Sequence, residues 1–335
     1  MIEVNDHVFK YYFYFIQERM NIFWNKYEGK IPPYTDDLIL KENKFTNVYR
    51  ASDRVSQYLI KNLIYDRLEG FDDRDILFRI LIFKIFNKVE TWEYLENELG
   101  SISIKNFNLS IVNKLLENRM LSKTPIYNNA YMMTGTHSKY NHLTFKHEKW
   151  LQMLENEIVK EKTLDKIIKA KSLEKVYSLL RERSFIGDFL AYQYTIDLNY
   201  SPVINFSEDS FVKAGIGSIR GIKKCFYPLG KSSYEEAIIY THDNFEKYQQ
   251  KYGFTEFKNL FGRKPTLIDI QNCFCETDKY LRAKMPDLQV DNKRIKQKYK
   301  SGNQTLKLFF PPKWGINDQI RTTCLQQNTG ELILF

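Results

Sequence analysis

Cysteine is scarce in this sequence, with four in 335 residues, at positions 225, 273, 275 and 324. Only Cys273 and Cys275 lie close together, in a C-x-C that suits neither a zinc ribbon nor an iron–sulfur cluster. They are read as reduced thiols of a cytoplasmic protein. Long apolar runs are missing too: no stretch approaches the roughly 18 uncharged apolar residues that would span a bilayer. The first residues, MIEVNDHVFKYYFYF, lack the basic start and small-residue cleavage site of a secretory signal. Strand signals are confined to LKLFF and ELILF near the C-terminus. His137, His142 and His147 are spaced by five, which does not align them on one helix face, and no Cys or acidic partner completes a set, so neither a metal nor a cofactor is expected. Gly230-Lys231-Ser232 does not complete a Walker A motif. That motif needs Gly at 225, where Cys stands, Pro228 lies inside the would-be loop and no buried strand precedes it, which argues against a kinase.

What remains is helical pattern, aromatic residues and positive charge. Apolar residues recur at helical spacing over residues 7–27, 47–67, 145–183, 188–198, 232–251 and 265–283. Asp73 is placed to cap a further helix, whose run ILFRILIFKIFNKVETW is apolar almost all round and belongs in a core. The expected class is all-α, with three regions: an N-terminal helix and linker over 1–40, a catalytic core over 41–285 and a basic C-terminal extension over 286–335. Aromatic residues make up 15% of the chain, and the formal net charge is +9. A polyanionic partner, DNA, fits both, because aromatic faces stack on bases and cations neutralise phosphates. No membrane and no obligate protein partner is expected. The basic run DNKRIKQKYKSGNQ from 291 suits a solvated face or a phosphate-contacting arm equally. Residues 121–144 read as a long ordered loop, which brings Tyr127, Asn129, Tyr131 and His137 forward as site candidates.

The densest signal runs from 181 to 213. A helix ends near Arg183, a turn centres on Gly187 and a second helix starts at Asp188, the layout of a helix-hairpin-helix. Free N–H groups at the second helix's start grip a DNA phosphate there, helped by the helix dipole. Asp209 follows Gly187 by 22 residues. Its plainer role is a helix N-cap before SFVKAG, with Asp197 and Asp188 as alternates for the chemistry. In AGIGSIRGIKK, three glycines would let backbone approach a phosphate while Lys213, Arg220, Lys223 and Lys224 supply charge; Gly215 and Gly217 are the closest-approach candidates.

The 181–213 segment resembles the helix-hairpin-helix DNA glycosylase superfamily, in which an Asp about twenty residues after the hairpin glycine acts on the base–sugar bond. Phe185 replaces the usual first glycine of the hairpin, and Phe189 stands where bifunctional members carry a Schiff-base Lys. A wider resemblance, over about residues 40–285, rests on KFTNVYRASDRVSQYLI, ILFRILIFKIFNKVETWEYL, GDFLAYQYTIDLNYS, AGIGSIRGI and CETDKYLRAK. These look like the α-glutamyl/putrescinyl thymine pyrophosphorylase family of amino acid:DNA transferases, which shares its core with anti-phage glycosylases. The resemblances imply a glycosylase-like fold of two closely packed helical lobes with a DNA cleft between them. They also imply that Asp209 would offset oxocarbenium-like charge on the sugar. Arg50, Gln57, Asn87, Tyr131, Tyr192 and Glu276 would form the base pocket, and Gly187 would join the 213–224 residues in phosphate binding. Arg50, Arg54 and Gln57, at i, i+4 and i+7, are expected to share one helix face. The leading expectation is a monofunctional DNA glycosylase that flips a hydroxymethylated or glucosylated pyrimidine out of phage DNA and excises it. The runner-up is an amino acid or polyamine transferase acting on activated thymine, and the third is an inactive DNA-binding module.

Overall fold

The computed structural model describes residues 2–128, 133–288, 298–299 and 308–320. Fourteen α-helices and no extended strand occur among the described residues; three isolated β-bridges are the only extended pairings there. The class is all-α. The chain divides into two compact units: Met1–Gln57 with Phe211–Phe335, and the continuous segment Tyr58–Ser210.

The first unit contains α1 (Asp6–Tyr27), α2 (Leu38–Glu42), most of α3 (Arg54–Tyr58), α11 (Ile216–Cys225), α12 (Tyr234–Asp243), α13 (Phe245–Tyr252) and α14 (Leu267–Lys284). Helix α1 buries Phe9, Tyr12, Phe13, Ile16, Met20 and Phe23, which recur at helical spacing on one face. That face meets α14: Tyr12 stacks on Phe274 with centroids 4.3 Å apart, and its hydroxyl donates to the Ile270 carbonyl at 3.1 Å. Helix α14 opens on a capping box between Thr266 and Asp269. Helix α11 lies tightly on α14, and the reason is glycine. A Cβ at Gly221 would stand 2.1 Å from the Phe274 carbonyl oxygen, and one at Gly217 2.2 Å from the Cys275 sulfur.

The second unit contains α4 (Asp73–Phe86), α5 (Val89–Leu99), α6 (Leu109–Leu121), α7 (Lys146–Met153), α8 (Thr163–Ile168), α9 (Leu173–Arg181) and α10 (Asp188–Asn199). Its centre is α4, buried at every position from Ile76 to Phe86, as its all-round apolar pattern requires. The cap is Asp72, whose side chain accepts from the Asp75 amide at 2.8 Å, one residue before the expected Asp73. Helix α10 is buried along its length from Leu190 to Asn199 and packs with α4 and α9. Between them Lys84 and Asp197 form an ion pair at 3.1 Å that is almost wholly out of solvent.

Two expected elements differ. Residues 47–67 do not form one helix: a 3-10 turn Arg50–Ser52 gives way at Asp53 to extended backbone, and after α3 the chain continues in a π-helical turn, Leu59–Ile64. Polar side chains claim the first turn's amides, since Asp269 takes the Arg50 N–H at 2.9 Å and Asp53 the Asn47 N–H at 2.9 Å. The glycine-rich stretch from 214, expected as a DNA-backbone contact, forms helix α11. Of the two expected strand segments, ELILF and the first two residues of LKLFF lie outside the described residues, and 308–310 form no strand; residues 291–297 and 300–304 of the basic run also lie outside them.

Candidate functional site

The first unit gathers a polar cluster around the turn at 46–57. Arg19 projects from the apolar face of α1; its Nε donates to the Thr46 carbonyl at 3.1 Å and its Nη2 to Asn47 Oδ1 at 2.7 Å. Thr46 N–H donates to Glu276 Oε2 at 3.0 Å, and Lys279 reaches the same oxygen at 2.7 Å. Asp269 binds the Arg50 amide through one oxygen and caps α14 through the other. Gln57 is a clamp, donating to the Ala51 and Phe309 carbonyls and accepting the Phe309 N–H at 2.8 Å. Of the expected base-pocket residues, Arg50, Gln57 and Glu276 therefore share this unit. Arg50 and Gln57 do not share a helix face, because the backbone breaks at Asp53. The Gln57 amide is held by backbone partners on both its nitrogen and its oxygen.

Asp53 is the group in this cluster whose electrostatics stand apart. Burial pushes its carboxyl up to about 7, with Glu276 acting in the same direction, against the Asn47 amide, Arg19 and Arg50. Burial likewise draws Arg19 below its ordinary value, and Asp53 and Glu276 oppose that. The sequence reading passed over Arg19. Its signal was a charged residue on the buried face of an aromatic helix, since Arg19 lies three past Ile16 and next to Met20.

In the second unit the hairpin has the expected geometry. Helix α9 ends at Arg181 and α10 begins at Asp188 with Gly187 as its N-cap. Phe185, in the place of the missing glycine, takes the left-handed conformation that favours glycine, at φ +67°. Its buried ring offsets that strain by packing against Trp150, Tyr140 and His137, with centroids 5.2–5.4 Å away. Glu157 fixes the turn from within, accepting the Ser184 N–H at 2.8 Å and its hydroxyl at 2.5 Å. Asp209 is exposed in a turn, its own amide donating to Ser207 Oγ at 3.2 Å. It caps no helix, because α11 starts only at Ile216 with Gly215 as N-cap. Asn87, expected in the base pocket, is the buried left-handed cap of α4 and accepts from Lys84 Nζ at 2.6 Å. Tyr192 is buried in α10. The Tyr127 ring lies tilted against Phe86, under the Lys146 ammonium. Asn129 and Tyr131 lie outside the described residues.

Helix α11 divides the expected phosphate contacts by face. Lys224 is buried and its ammonium is paired with Asp278 at 2.9 Å, so it is removed from the DNA-binding set. Gly217 meets α14, as Gly221 does, so close helix packing accounts for Gly217 in place of phosphate approach, and Gly215 is a buried N-cap. Lys213 pairs with Glu235 at 2.8 Å. Lys223 is exposed and Arg220 half-buried on the side away from the glycines, four and seven residues past the exposed Ile216. Gly230-Lys231-Ser232 lies in the turn before α12, with no strand preceding it. No group of three metal-ligating side chains occurs among the described residues, and no helix among them is long and apolar enough to cross a membrane.

Comparison with known proteins changes the functional reading. A family model described as "5-hmdU DNA kinase, helical domain" matches residues 6–290. A 5-hmdU DNA kinase of Bacillus phage SP10 is 24% identical over 288 residues, covering 80% of this chain and 44% of the relative. The chain thus spans less than half the length of the curated relative that it matches. No solved structure matches. The expectation of a hydrolytic glycosylase is overturned, and with it the excision role of Asp209. The runner-up, transfer of an amino acid or polyamine, does not fit either, since a kinase transfers a phosphoryl group. The inference that an incomplete Walker A motif argued against a kinase fails as well, because the matching region is the helical part of such an enzyme. By this match over most of its length, the chain belongs to the family of 5-hmdU DNA kinase helical domains.

Proposed function

We propose that this chain recognises DNA carrying 5-hydroxymethyl-deoxyuridine and presents the hydroxymethyl group for phosphorylation by a nucleoside triphosphate. The family match over residues 6–290 carries this reading. The name of the phage relative supports it. In such a reaction the hydroxyl oxygen attacks the terminal phosphorus, the bond to the leaving nucleoside diphosphate breaks and the glycosidic bond stays intact. Positioning is the main demand on the protein, because the 5-substituent sits in the major groove beside a stacked base and must be brought to the donor.

The net charge of +9 suits a polyanion. Arg220 and Lys223 on α11, and separately the exposed start of α10 at Gly187, are the proposed phosphate contacts. Donor binding is assigned to no residue of this chain. The test uses two duplexes that differ at one base, 5-hydroxymethyluracil or thymine, with binding followed by fluorescence anisotropy and γ-labelled ATP added in parallel. Tighter binding of the hydroxymethylated duplex, and label recovered as 5-phosphomethyl-deoxyuridine after nuclease digestion, are the expected results. Equal affinity for the two duplexes, or release of a free base, overturns the reading.

A further inference from the structure

Recognising a hydroxymethyl group against a methyl group is a hydrogen-bonding problem. The two differ by one hydroxyl, and the apolar shape of a pocket discriminates poorly at that level. A buried acceptor does better: with the hydroxyl it forms a bond, and with the methyl it is desolvated and left unpaired. An ionised carboxylate is the strongest such acceptor, because it only accepts and its bonds are charge-assisted.

The polar cluster of the first unit holds three carboxylates, and two are already engaged. Asp269 binds the Arg50 amide and caps α14. Glu276 takes the Thr46 amide and pairs with Lys279 at 2.7 Å. Asp53 is different. It is half-buried, one oxygen is fixed on the Asn47 amide at 2.9 Å, and the other oxygen receives no hydrogen bond among the described residues. Arg19 from α1 and Arg50 from its own turn act on it through their charge, while Glu276 and Cys273 face it from α14. The turn that carries it is pinned at Arg50 by Asp269 and at Asn47 by Arg19 and by the Ser52 carbonyl, which accepts from Asn47 Nδ2 at 3.0 Å. A preorganised carboxylate with an open oxygen, in the field of two guanidinium charges, is built to receive a donor.

We infer that Asp53 accepts the hydrogen bond of the 5-hydroxymethyl hydroxyl and so distinguishes this base from thymine. The inference rests on the proposed substrate. The fixed Oδ1 keeps its place on Asn47, and the open oxygen meets the hydroxyl. Arg19 and Arg50 favour the charged form that the contact needs.

The test compares affinities of the full chain for the two duplexes, as a ratio, in wild type and in Asp53→Asn. The wild-type ratio should favour the hydroxymethylated duplex roughly tenfold or more, the change that a hydrogen bond to a charged group implies. It should shrink as the pH falls through about 7, where the carboxyl takes a proton. In Asp53→Asn the Asn47 contact can persist while the charge is gone, so the ratio should drop several-fold and lose its pH dependence, with thymine DNA bound no more weakly. A variant that keeps both the wild-type ratio and its pH dependence overturns the inference and leaves the substrate reading standing. A wild type with no preference overturns the substrate reading and the inference with it. If the variant does not fold, the wild-type series decides alone: a ratio unchanged from about pH 5.5 to about pH 8.5 overturns the role of Asp53.

Discussion

At the scale of single residues, burial decides more than residue type. Lys223 and Lys224 are neighbours of the same charge, yet one faces solvent and the other is sealed against Asp278. Asp53 shows the energetic side of the same rule. Its carboxyl is raised from an ordinary value of 3.8 to about 7, so folding favours its protonated form. The stability it contributes is present below the unfolded value and is lost as pH rises through 7. Asp53→Asn should therefore melt at a higher temperature than wild type at pH 8, with the gap closing near pH 5. A variant that melts lower at both pH values would show that the attraction of the Arg19 and Arg50 charges outweighs the cost of burying the carboxylate. Phe185 gives a second residue-scale prediction. Truncation to Ala removes a buried ring, a loss on the order of 3–5 kcal/mol, and keeps a left-handed backbone that costs about 1 kcal/mol. Phe185→Gly loses the same ring but relieves the backbone, so in urea titrations it should be the more stable of the two by about 1 kcal/mol, the reverse of the order in an ordinary core.

At the scale of elements, the contact of α11 with α14 depends on two glycines one helical turn apart. They differ in what a Cβ would meet. At Gly221 the obstacle is the Phe274 backbone, which cannot move without parting the helices, so Gly221→Ala should destabilise by about 3 kcal/mol. At Gly217 the nearest obstacle is the Cys275 sulfur, with the Cys275 Cβ at 3.2 Å. Gly217→Ala should cost less, and Cys275→Ala should recover part of the loss, whereas it should not rescue Gly221→Ala. Equal rescue of both would contradict this packing. The elements also show where sequence reading ran out. Helix α4 was legible because all-round apolarity has one physical meaning in a chain of this kind, and the α9–α10 turn because Gly187 and Asp188 mark a helix start. Helix α11 was not legible. Three glycines in eight residues carry the local signal of a loop, and only a partner pressed against them makes that composition a helix. The break at Asp53 was hidden for a related reason, since the group that draws off the Arg50 amide lies 219 positions away.

At the scale of the whole molecule, charge predicts how binding responds to salt. Each phosphate contact contributes about −0.9 to the slope of log affinity against log salt. Removing Arg220 and Lys223 together should flatten that slope by about two and weaken both duplexes alike, whereas Lys224→Met should leave it unchanged once folding is verified. A slope that Lys224 alters and Lys223 does not would reverse the assignment made from burial. On the proposed reading, charge and the hydroxymethyl preference are separable quantities, one assigned to the exposed face of α11 and the other to the polar cluster around Asp53.

The sequence by itself determined the all-α class, the core position of α4, the hairpin layout around Gly187 and the basic character that suits DNA, because each follows from local periodicity or from a sum over residues. Only the tertiary structure decided which cations are exposed, why α11 needs its glycines and which carboxylate of the polar cluster keeps an open oxygen. Those properties depend on what stands opposite each side chain, and the opposing groups of the cluster come from α1, the 46–57 turn and α14, segments far apart in the chain.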